Sequence, residues 1–272
     1  MKKLLLVAAV SGLAWTSAEA ADIAARPYTK APAPPPAFSW TGAYFGLTAR
    51  GAFDHGSRFE TTDGLVDAFG VRNGFRPATA ETRTDGYAFG AEIGYNYQFA
   101  PNLVVGIEAD AAYTDRSART SVDLAVTRTS VFTSKMDVFG TVRGRVGYAF
   151  DRLFLYGTGG LAYGHVSNET AFLTGGTLTY LGSRSGMQAG WTAGGGIEFA
   201  IGNGPGDPLL FGSRGASLKL EYLHYDLGHN SYSLPPLVVG LVGVYSERVK
   251  TTGDMVRLGI NYSLDGPVVA KY

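Results

Sequence analysis

Apolar and polar side chains alternate along most of this chain with a period of two. In the clearest run, from Gly86 to Phe99, every second residue is large and apolar, and the residues between are small or polar. Successive side chains of a β-strand point to opposite sides, so this run predicts a strand with two different faces. A tight turn is predicted at 100–102, and the alternation resumes after it.

Seven further segments alternate in the same way, and together they predict eight strands. In two of them, 153–166 and 217–226, aromatic residues occupy both faces, so the direction of each face stays open. The predicted strands are 40–53, 86–99, 103–113, 136–150, 153–166, 187–199, 217–226 and 254–262.

The connections between these strands differ in length, and most of the long ones fall at one end. That arrangement is typical of outer-membrane barrels, which have long extracellular loops and short periplasmic turns. An even number of strands would put both ends of the mature chain on the periplasmic side. The predicted long loops are 54–84, 116–134, 168–185 and 227–250, the short turns are 100–102 and 151–152, and the glycine-rich connection 200–215 departs from the alternation.

Charged residues recur on the face opposite the large apolar side chains. A soluble β-sandwich could show these charges to water, whereas a membrane barrel would enclose them. The strands run about ten to fourteen residues, and aromatic residues gather at their ends, as at Tyr95–Phe99 and Tyr148–Phe154. Both features favour the membrane barrel. The predicted fold is therefore all-β, an eight-stranded antiparallel transmembrane β-barrel with up-and-down topology over 40–264.

An eight-stranded barrel has an interior just wide enough for side chains, and an unpaired buried charge costs several kcal/mol or more. The inward charges are therefore expected to pair and to close the lumen, with a gated narrow pore as the alternative. These ten residues are Glu92, Glu108, Asp110, Asp137, Arg143, Arg145, Glu198, Lys219, Glu221 and Arg257.

The N-terminal segment has the features of an export signal. Lys2 and Lys3 precede a short apolar run, and Ala18-Glu19-Ala20 provides a cleavage site before Ala21. Residues 1–20 are therefore predicted to be a signal peptide. Residues 21–39 are rich in proline and predict an extended periplasmic leader, and 265–272 form a C-terminal tail.

The composition excludes some kinds of binding site and partner. The chain has no cysteine, which excludes disulfides and thiolate metal sites. It has equal numbers of acidic and basic residues, which gives no reason to expect a nucleic-acid partner. The run 202–206 lacks the Lys and Ser/Thr of a phosphate-binding loop, so it is interpreted as a turn.

The loop residues offer two weak candidates for chemistry. His229, Ser231 and Glu247 could serve a lipid-modifying enzyme, and the histidines His55, His165, His224 and His229 with Tyr180, Tyr232 and Tyr245 could bind hemin. Their spacing is not distinctive, so neither a catalytic residue nor a cofactor is predicted.

Several strand and turn motifs resemble the alphaproteobacterial small outer-membrane protein family, which is described as porin-like with an OmpA-type eight-stranded barrel. The resemblance covers essentially the whole mature chain. The sequence as a whole predicts a structural barrel that contributes to envelope integrity and surface exposure, with a narrow porin or a lipid-modifying or hemin-binding barrel as alternatives. The motifs are Ala21-Asp22 with Ala25-Arg26, Tyr28–Pro32, Trp40–Gly46, Tyr156–Gly164, Lys219–Gly228 and Val256–Tyr262.

The expected partners are outer-membrane lipid and the barrel-assembly machinery. Barrels of this kind usually end on an aromatic residue of the last strand, whereas this chain continues from Asp265 to Tyr272. Either Tyr262 or Tyr272 could therefore be the assembly signal, and the oligomeric state is left open.

Overall fold

The computed structural model describes residues 38–62, 64–83, 86–124, 127–201 and 215–264, except for the side chains of 52–55. The predicted signal peptide, the leader up to residue 37, the glycine-rich run 202–206 and the C-terminal tail lie outside the described residues, as does the His55 side chain. Among the described residues, no helix is long and apolar enough to cross a bilayer.

Eight long antiparallel strands form a closed ring. Each strand pairs with its neighbour in the chain, and the first long strand also pairs with the last. This confirms the predicted eight-stranded antiparallel barrel. The ring strands are β1 Gly42–Thr61, β3 Gly86–Gln98, β4 Leu103–Leu124, β5 Arg128–Phe150, β6 Leu153–Thr174, β7 Thr177–Ile201, β8 Ala216–Leu234 and β9 Tyr245–Ser263.

The segment 54–84, predicted to be a loop, is largely regular structure. It contains the end of β1, helix α1 (Leu65–Arg72) and strand β2 (Thr79–Thr82). Strand β2 pairs with β1 at Ser57–Glu60, beyond the residues of β1 that pair with β3. It therefore continues the place of β3 in the ring.

The other predicted long loops are also mostly strand, because β4 to β9 run 19 to 25 residues. Serine and threonine are frequent in these parts of the chain, and threonine in particular suits strands. The outer face of these segments carries few large apolar residues, so the alternation does not identify them as strands. Their inner face still carries large apolar side chains.

The large exposed apolar side chains define a belt on the outer face of the barrel. It lies nearer to the short turns 100–102 and 151–152, and the strands continue beyond it as an extension with a mainly polar outer face. The belt includes Leu47, Phe89, Ile93, Ile107, Val142, Val146, Leu161, Trp191, Leu220 and Leu258.

The interior of the barrel is filled with side chains in layers. The end near the short turns holds a turn-side aromatic layer around Trp40, Phe154 and Tyr156. A charged layer follows, then a middle apolar layer that includes Phe139, Leu223 and Tyr225. The extension encloses an upper aromatic layer: Phe59, Ala80, Phe132, Phe172, Tyr180, Tyr232, Leu234, Tyr245 and Val249.

These inner aromatic layers explain the two segments whose faces were undecided. In β6, Phe154 and Tyr156 point inward while Leu155 is exposed outside. In β8, Leu223 and Tyr225 point inward and Tyr222 faces outward. Aromatic residues occur on both faces because one set meets the belt and the other fills the lumen.

Candidate functional site: the charged layer in the lumen

Five acidic and five basic side chains meet inside the barrel, and each residue is at most 4 % exposed. Since the two counts are equal, the formal charges of this set cancel. Members come from seven of the eight ring strands. They are Arg50, Glu92, Glu108, Asp110, Arg143, Arg145, Glu198, Lys219, Glu221 and Arg257.

Arg143 on β5 contacts three carboxylates. Its Nη1 donates to Glu221 Oε1 at 2.9 Å, and its Nη2 donates to Glu108 and lies 3.3 Å from Asp110 Oδ2. The remaining Nε donates to Thr141 Oγ1 at 2.8 Å. All three nitrogens of the guanidinium therefore have acceptors, as a buried cation requires.

Arg257 on β9 occupies a similar position on the opposite part of the ring. Its Nη2 donates to Glu92 Oε2 at 2.6 Å, and its Nη1 lies 3.1 Å from Asp110 Oδ2 and 3.0 Å from Glu221 Oε2. Asp110 also accepts from Arg50 Nη2 at 2.5 Å. Asp110 and Glu221 therefore each contact more than one cation, and the pairs form a connected network.

The remaining two cations extend the network toward the turn side. Lys219 Nζ donates to Glu108 Oε2 at 2.9 Å and forms an ion pair with Glu92. Arg145 Nη1 lies 3.1 Å from Glu198 Oε2 and 3.3 Å from Glu108 Oε2. The Arg145 guanidinium also lies 4.8 Å from the ring centre of Tyr44, within the range of a cation–π contact.

Neutral donors supply further hydrogen bonds to the same carboxylates. Tyr44 Oη donates to Glu108 Oε2 at 2.8 Å, and Tyr156 Oη donates to Glu221 Oε1 at 3.0 Å. Asn261 Nδ2 donates to Glu198 Oε1 at 3.0 Å. Such additional bonds help to offset the cost of removing charges from water.

Nine of the ten lumen residues predicted from the sequence lie in this layer, and Asp137 does not. The pairing of β5 with β6 shifts at Met136/Val138, so Asp137 is an extra residue in a β-bulge. The bulge turns its side chain outward, where it is 53 % exposed and lies beside His165. The prediction for Asp137 is therefore wrong, because strict alternation ignores an inserted residue.

Arg50 is the charged residue that the predicted set omitted. The period of two already put it on the face of β1 opposite Phe45 and Leu47, so a signal for it was present. With Asp137 removed and Arg50 added, the set changes from six acidic and four basic residues to five of each.

The two weak candidates from the predicted loops are not assembled. His229 and Ser231 lie on the outer face of β8, whereas Glu247 on β9 is fully buried inside the extension. Tyr180 and Tyr245 pack edge to face in the upper aromatic layer, away from the side chain of His229. In the described part of the chain, no group of three His, Asp or Glu side chains could hold a metal ion.

Glu247 and Arg76 are buried in the extension, beyond the apolar belt. Burial raises the pKa of Glu247 to about 8, although a bond from Thr61 Oγ1 at 3.0 Å acts in the other direction. Burial lowers the pKa of Arg76, whose guanidinium lies 4.2 Å from the ring centre of Phe172. Both groups fill the upper end of the lumen together with the aromatic layer.

A closed antiparallel ring with an apolar outer belt and an ionised interior is a transmembrane β-barrel. Comparison with known proteins agrees. The family model described as outer membrane protein beta-barrel domain matches residues 5–263. The chain therefore belongs to that family and is an outer-membrane protein.

Individual relatives are consistent with this assignment. The chain is 34% identical over 267 residues to the 31 kDa outer-membrane immunogenic protein of Brucella melitensis biotype 1, covering 96% of this chain and 99% of the relative. It is 31% identical over 153 residues to the 22 kDa outer membrane protein of Rhizobium leguminosarum bv. viciae, covering 54% and 57%. These names confirm the resemblance to an alphaproteobacterial family. Among solved structures, OprG from Pseudomonas aeruginosa matches at 13% identity with a TM-score of 0.47, covering 83% of this chain and 97% of that chain.

Proposed function

We propose that this protein is a structural outer-membrane barrel with a closed lumen, which strengthens the envelope and presents its extension at the cell surface. The observation that carries the proposal is the charge-balanced layer of ion pairs across the lumen. A conducting pore needs a continuous path of water, whereas these carboxylates are already satisfied by Arg, Lys, Tyr and Asn donors.

The layers on either side of the charges support closure. Toward the short turns, the rings of Trp40 and Phe154 pack 5.3 Å apart between their centres. Toward the extension, Phe139 and Tyr225 pack at 4.8 Å. Two cavities next to this middle layer have volumes of about 20 Å³ each, room for about one water molecule apiece.

The far end of the extension is covered by helix α1. Asp67 Oδ1 accepts from the backbone N–H of Ser246 at 3.1 Å, which fastens the helix to β9. Gly70 lies so close to the Tyr245 ring that a Cβ there would be 2.9 Å from the hydroxyl. Arg76 follows the helix and inserts over Phe172. Solutes would therefore meet a third obstruction.

The same features support a proposed orientation in the membrane. The belt contacts outer-membrane lipid, and the polar extension projects from the outer leaflet, so both ends of the mature chain are periplasmic. Insertion in this orientation would require the barrel-assembly machinery. Surface exposure of the extension would also suit a protein whose relatives are named as immunogenic.

The proposal is tested by solute uptake into proteoliposomes. Vesicles that contain the purified barrel are diluted into isotonic arabinose, and swelling is followed by light scattering, with a general porin as the positive control. We expect no swelling above that of protein-free vesicles. Swelling whose rate falls with increasing solute size would contradict closure and establish the narrow-porin alternative.

The envelope role needs a second measurement in cells. A strain that lacks the gene should release more periplasmic enzyme and be more sensitive to detergent, and the wild-type gene should restore both. If deletion leaves both unchanged in a strain that normally makes the protein abundantly, the structural role is refuted.

A further inference from the structure

Three polar side chains align across neighbouring strands on the outer face of the barrel. Ser185 Oγ on β7 lies 3.2 Å from His165 Nε2 on β6, and His165 Nδ1 lies 3.3 Å from Asp137 Oδ2 on β5. With its proton on Nδ1, His165 donates to the carboxylate and accepts from the serine hydroxyl. This is the order of contacts that activates a serine nucleophile.

The β-bulge in β5 creates this arrangement. Cross-strand pairing places Ser167 opposite Ser185 and His165 opposite Met187, so Ser185 is the diagonal neighbour of His165. Asp137 is the inserted residue between Met136 and Val138, and the bulge turns it outward toward His165. Bulges are frequent beside active sites because they redirect one side chain without disturbing the rest of a sheet.

The cluster lies at the edge of the apolar belt, where the extension begins. Val138, Met187 and Leu161 form the nearby belt surface, and all three are exposed. The Asp137 and His165 side chains are 53 % and 36 % exposed, so a substrate can reach them. A lipid with its acyl chains along the belt would hold its ester groups at about the height of these polar residues.

We propose that Ser185, His165 and Asp137 form a serine esterase site for acyl esters of membrane lipids. Ser185 Oγ attacks the ester carbonyl carbon while its proton passes to His165 Nε2. The ester C–O bond then breaks, and the leaving alcohol takes that proton. Water attacks the acyl–Ser185 intermediate, gives a proton to His165, and releases the fatty acid with restoration of the serine hydroxyl.

The negative charge that develops on the carbonyl oxygen needs stabilisation, and backbone N–H groups within a sheet are already used by the strand ladder. Lys135 is the cation that the register provides. It is exposed on the outer face of β5 directly opposite Ser167, whose Oγ lies 2.7 Å from Ser185 Oγ. Its flexible ammonium can approach a substrate carbonyl bound at Ser185.

A second His–Asp pair on the same outer face provides a matched comparison. His224 Nδ1 lies 2.9 Å from Asp254 Oδ1, and Tyr222 Oη donates to the same carboxylate oxygen at 2.5 Å. The ring contact described for His224 is with Trp191. The two histidines are about equally exposed, at 37 % for His224 and 36 % for His165, whereas Asp254 is 16 % exposed and Asp137 is 53 %. The carboxylate of Asp254 is also shared with a phenol, and among the described residues no serine hydroxyl donates to His224.

The test uses the refolded mature protein in detergent micelles, with folding checked by the gel shift between unheated and boiled samples. A fluorophosphonate probe should attach to one residue, and peptide mapping should place the adduct on Ser185. An adduct elsewhere, or none, would refute the site. Because mapping uses the wild-type protein, it does not depend on whether any variant folds.

Hydrolysis of phospholipid in mixed micelles is then compared with hydrolysis of a water-soluble short-chain nitrophenyl ester. We expect fatty-acid release to fall to the background of protein-free micelles in Ser185→Ala and His165→Asn, and by about 100-fold or more in Asp137→Asn. Lys135→Met should lower the rate of hydrolysis with a smaller effect on KM.

The controls Ser183→Ala, two residues away on the same exposed stretch of β7, and His224→Asn should keep wild-type rates. Equal loss in His224→Asn would refute a role specific to His165. Hydrolysis of the short-chain ester without release of fatty acid from phospholipid would refute the assignment of lipid as the substrate.

Discussion

Substitution of Arg257 is the most direct way to disturb the charged layer. It is fully buried, and four carboxylates lie within 4 Å of its guanidinium, namely Glu92, Asp110, Glu221 and Glu108. Arg257→Met keeps much of the volume and removes the charge. Five acidic side chains would then face four cations inside the barrel.

The magnitude follows from the burial of these groups. Removing one partner of a fully buried pair costs about 3–5 kcal/mol, since the remaining charge is left uncompensated in a medium of low polarity. Lys250→Met is the control, because Lys250 lies on the same strand as Arg257, and its pair with Asp226 on β8 has a similar separation of 3.0 Å but is 41 % exposed at the lysine. An exposed pair contributes about 0–1 kcal/mol.

The assay is equilibrium unfolding in urea with the protein in detergent micelles. Arg257→Met should lower the free energy of unfolding by about 3–5 kcal/mol. The double variant Arg257→Met with Glu221→Gln restores neutrality and should recover about 1–3 kcal/mol. If Arg257→Met resembled Lys250→Met, or the second change destabilised further, the interior would be hydrated and the ion-pair network would not be a stabilising element.

Two other predictions concern the outer face and the extension. Ile107→Arg should cost about 2–4 kcal/mol because Ile107 belongs to the belt, as measured by urea unfolding of the protein in lipid vesicles. In the same vesicles Ser121→Arg, on the same strand beyond the belt, should be nearly neutral, and equal costs would mean that the belt is misplaced. For Glu247, the native pKa of about 8 lies above its ordinary value of 4.5. The unfolded chain therefore loses its proton first, and stability should fall between about pH 4.5 and pH 8 by up to about 5 kcal/mol. Glu247→Gln should remove that dependence, and an unchanged pH profile in the variant would exclude Glu247 as its source.

Much of the barrel could be predicted because the alternation within each strand depends only on residues close together in the sequence. In β3, the alternation of Tyr87 and Phe89 with small residues needs only the geometry of one strand. The strand count, the closed ring and nine of the ten inward charges follow from repeating that argument. The sequence motifs also pointed to the correct family.

The predictions fail where the alternation along one strand does not determine the structure. The bulge at Asp137 is a register shift between two strands, and nothing in the alternation of β5 alone reveals it. The extension was missed because a strand that leaves the lipid no longer needs apolar residues on its outer face, so Ser and Thr positions looked like loops. Leu223 and Tyr225 could not be assigned because an apolar layer inside the barrel copies the pattern expected outside.

The Ser185–His165–Asp137 cluster also could not be predicted from the alternation along single strands. Its members are separated by 28 and 20 residues in the chain, and they meet only through the pairing of β5, β6 and β7. Sequence reasoning considered His229 and Ser231 because they are close in sequence. Proximity along the chain is a poor guide in a sheet, where neighbours are set by register.

The most direct test of the closed lumen is the electrical conductance of the wild-type protein in a planar lipid bilayer. Insertion of folded protein should leave the current at the level of the bare membrane, because in the proposed closed lumen the charged layer, the flanking apolar layers and helix α1 would interrupt any continuous path of water. Arg257→Met, in contrast, should show intermittent current as water enters around the unpaired carboxylates. Steady, stepwise opening of the wild-type protein, unchanged in Arg257→Met, would contradict the account.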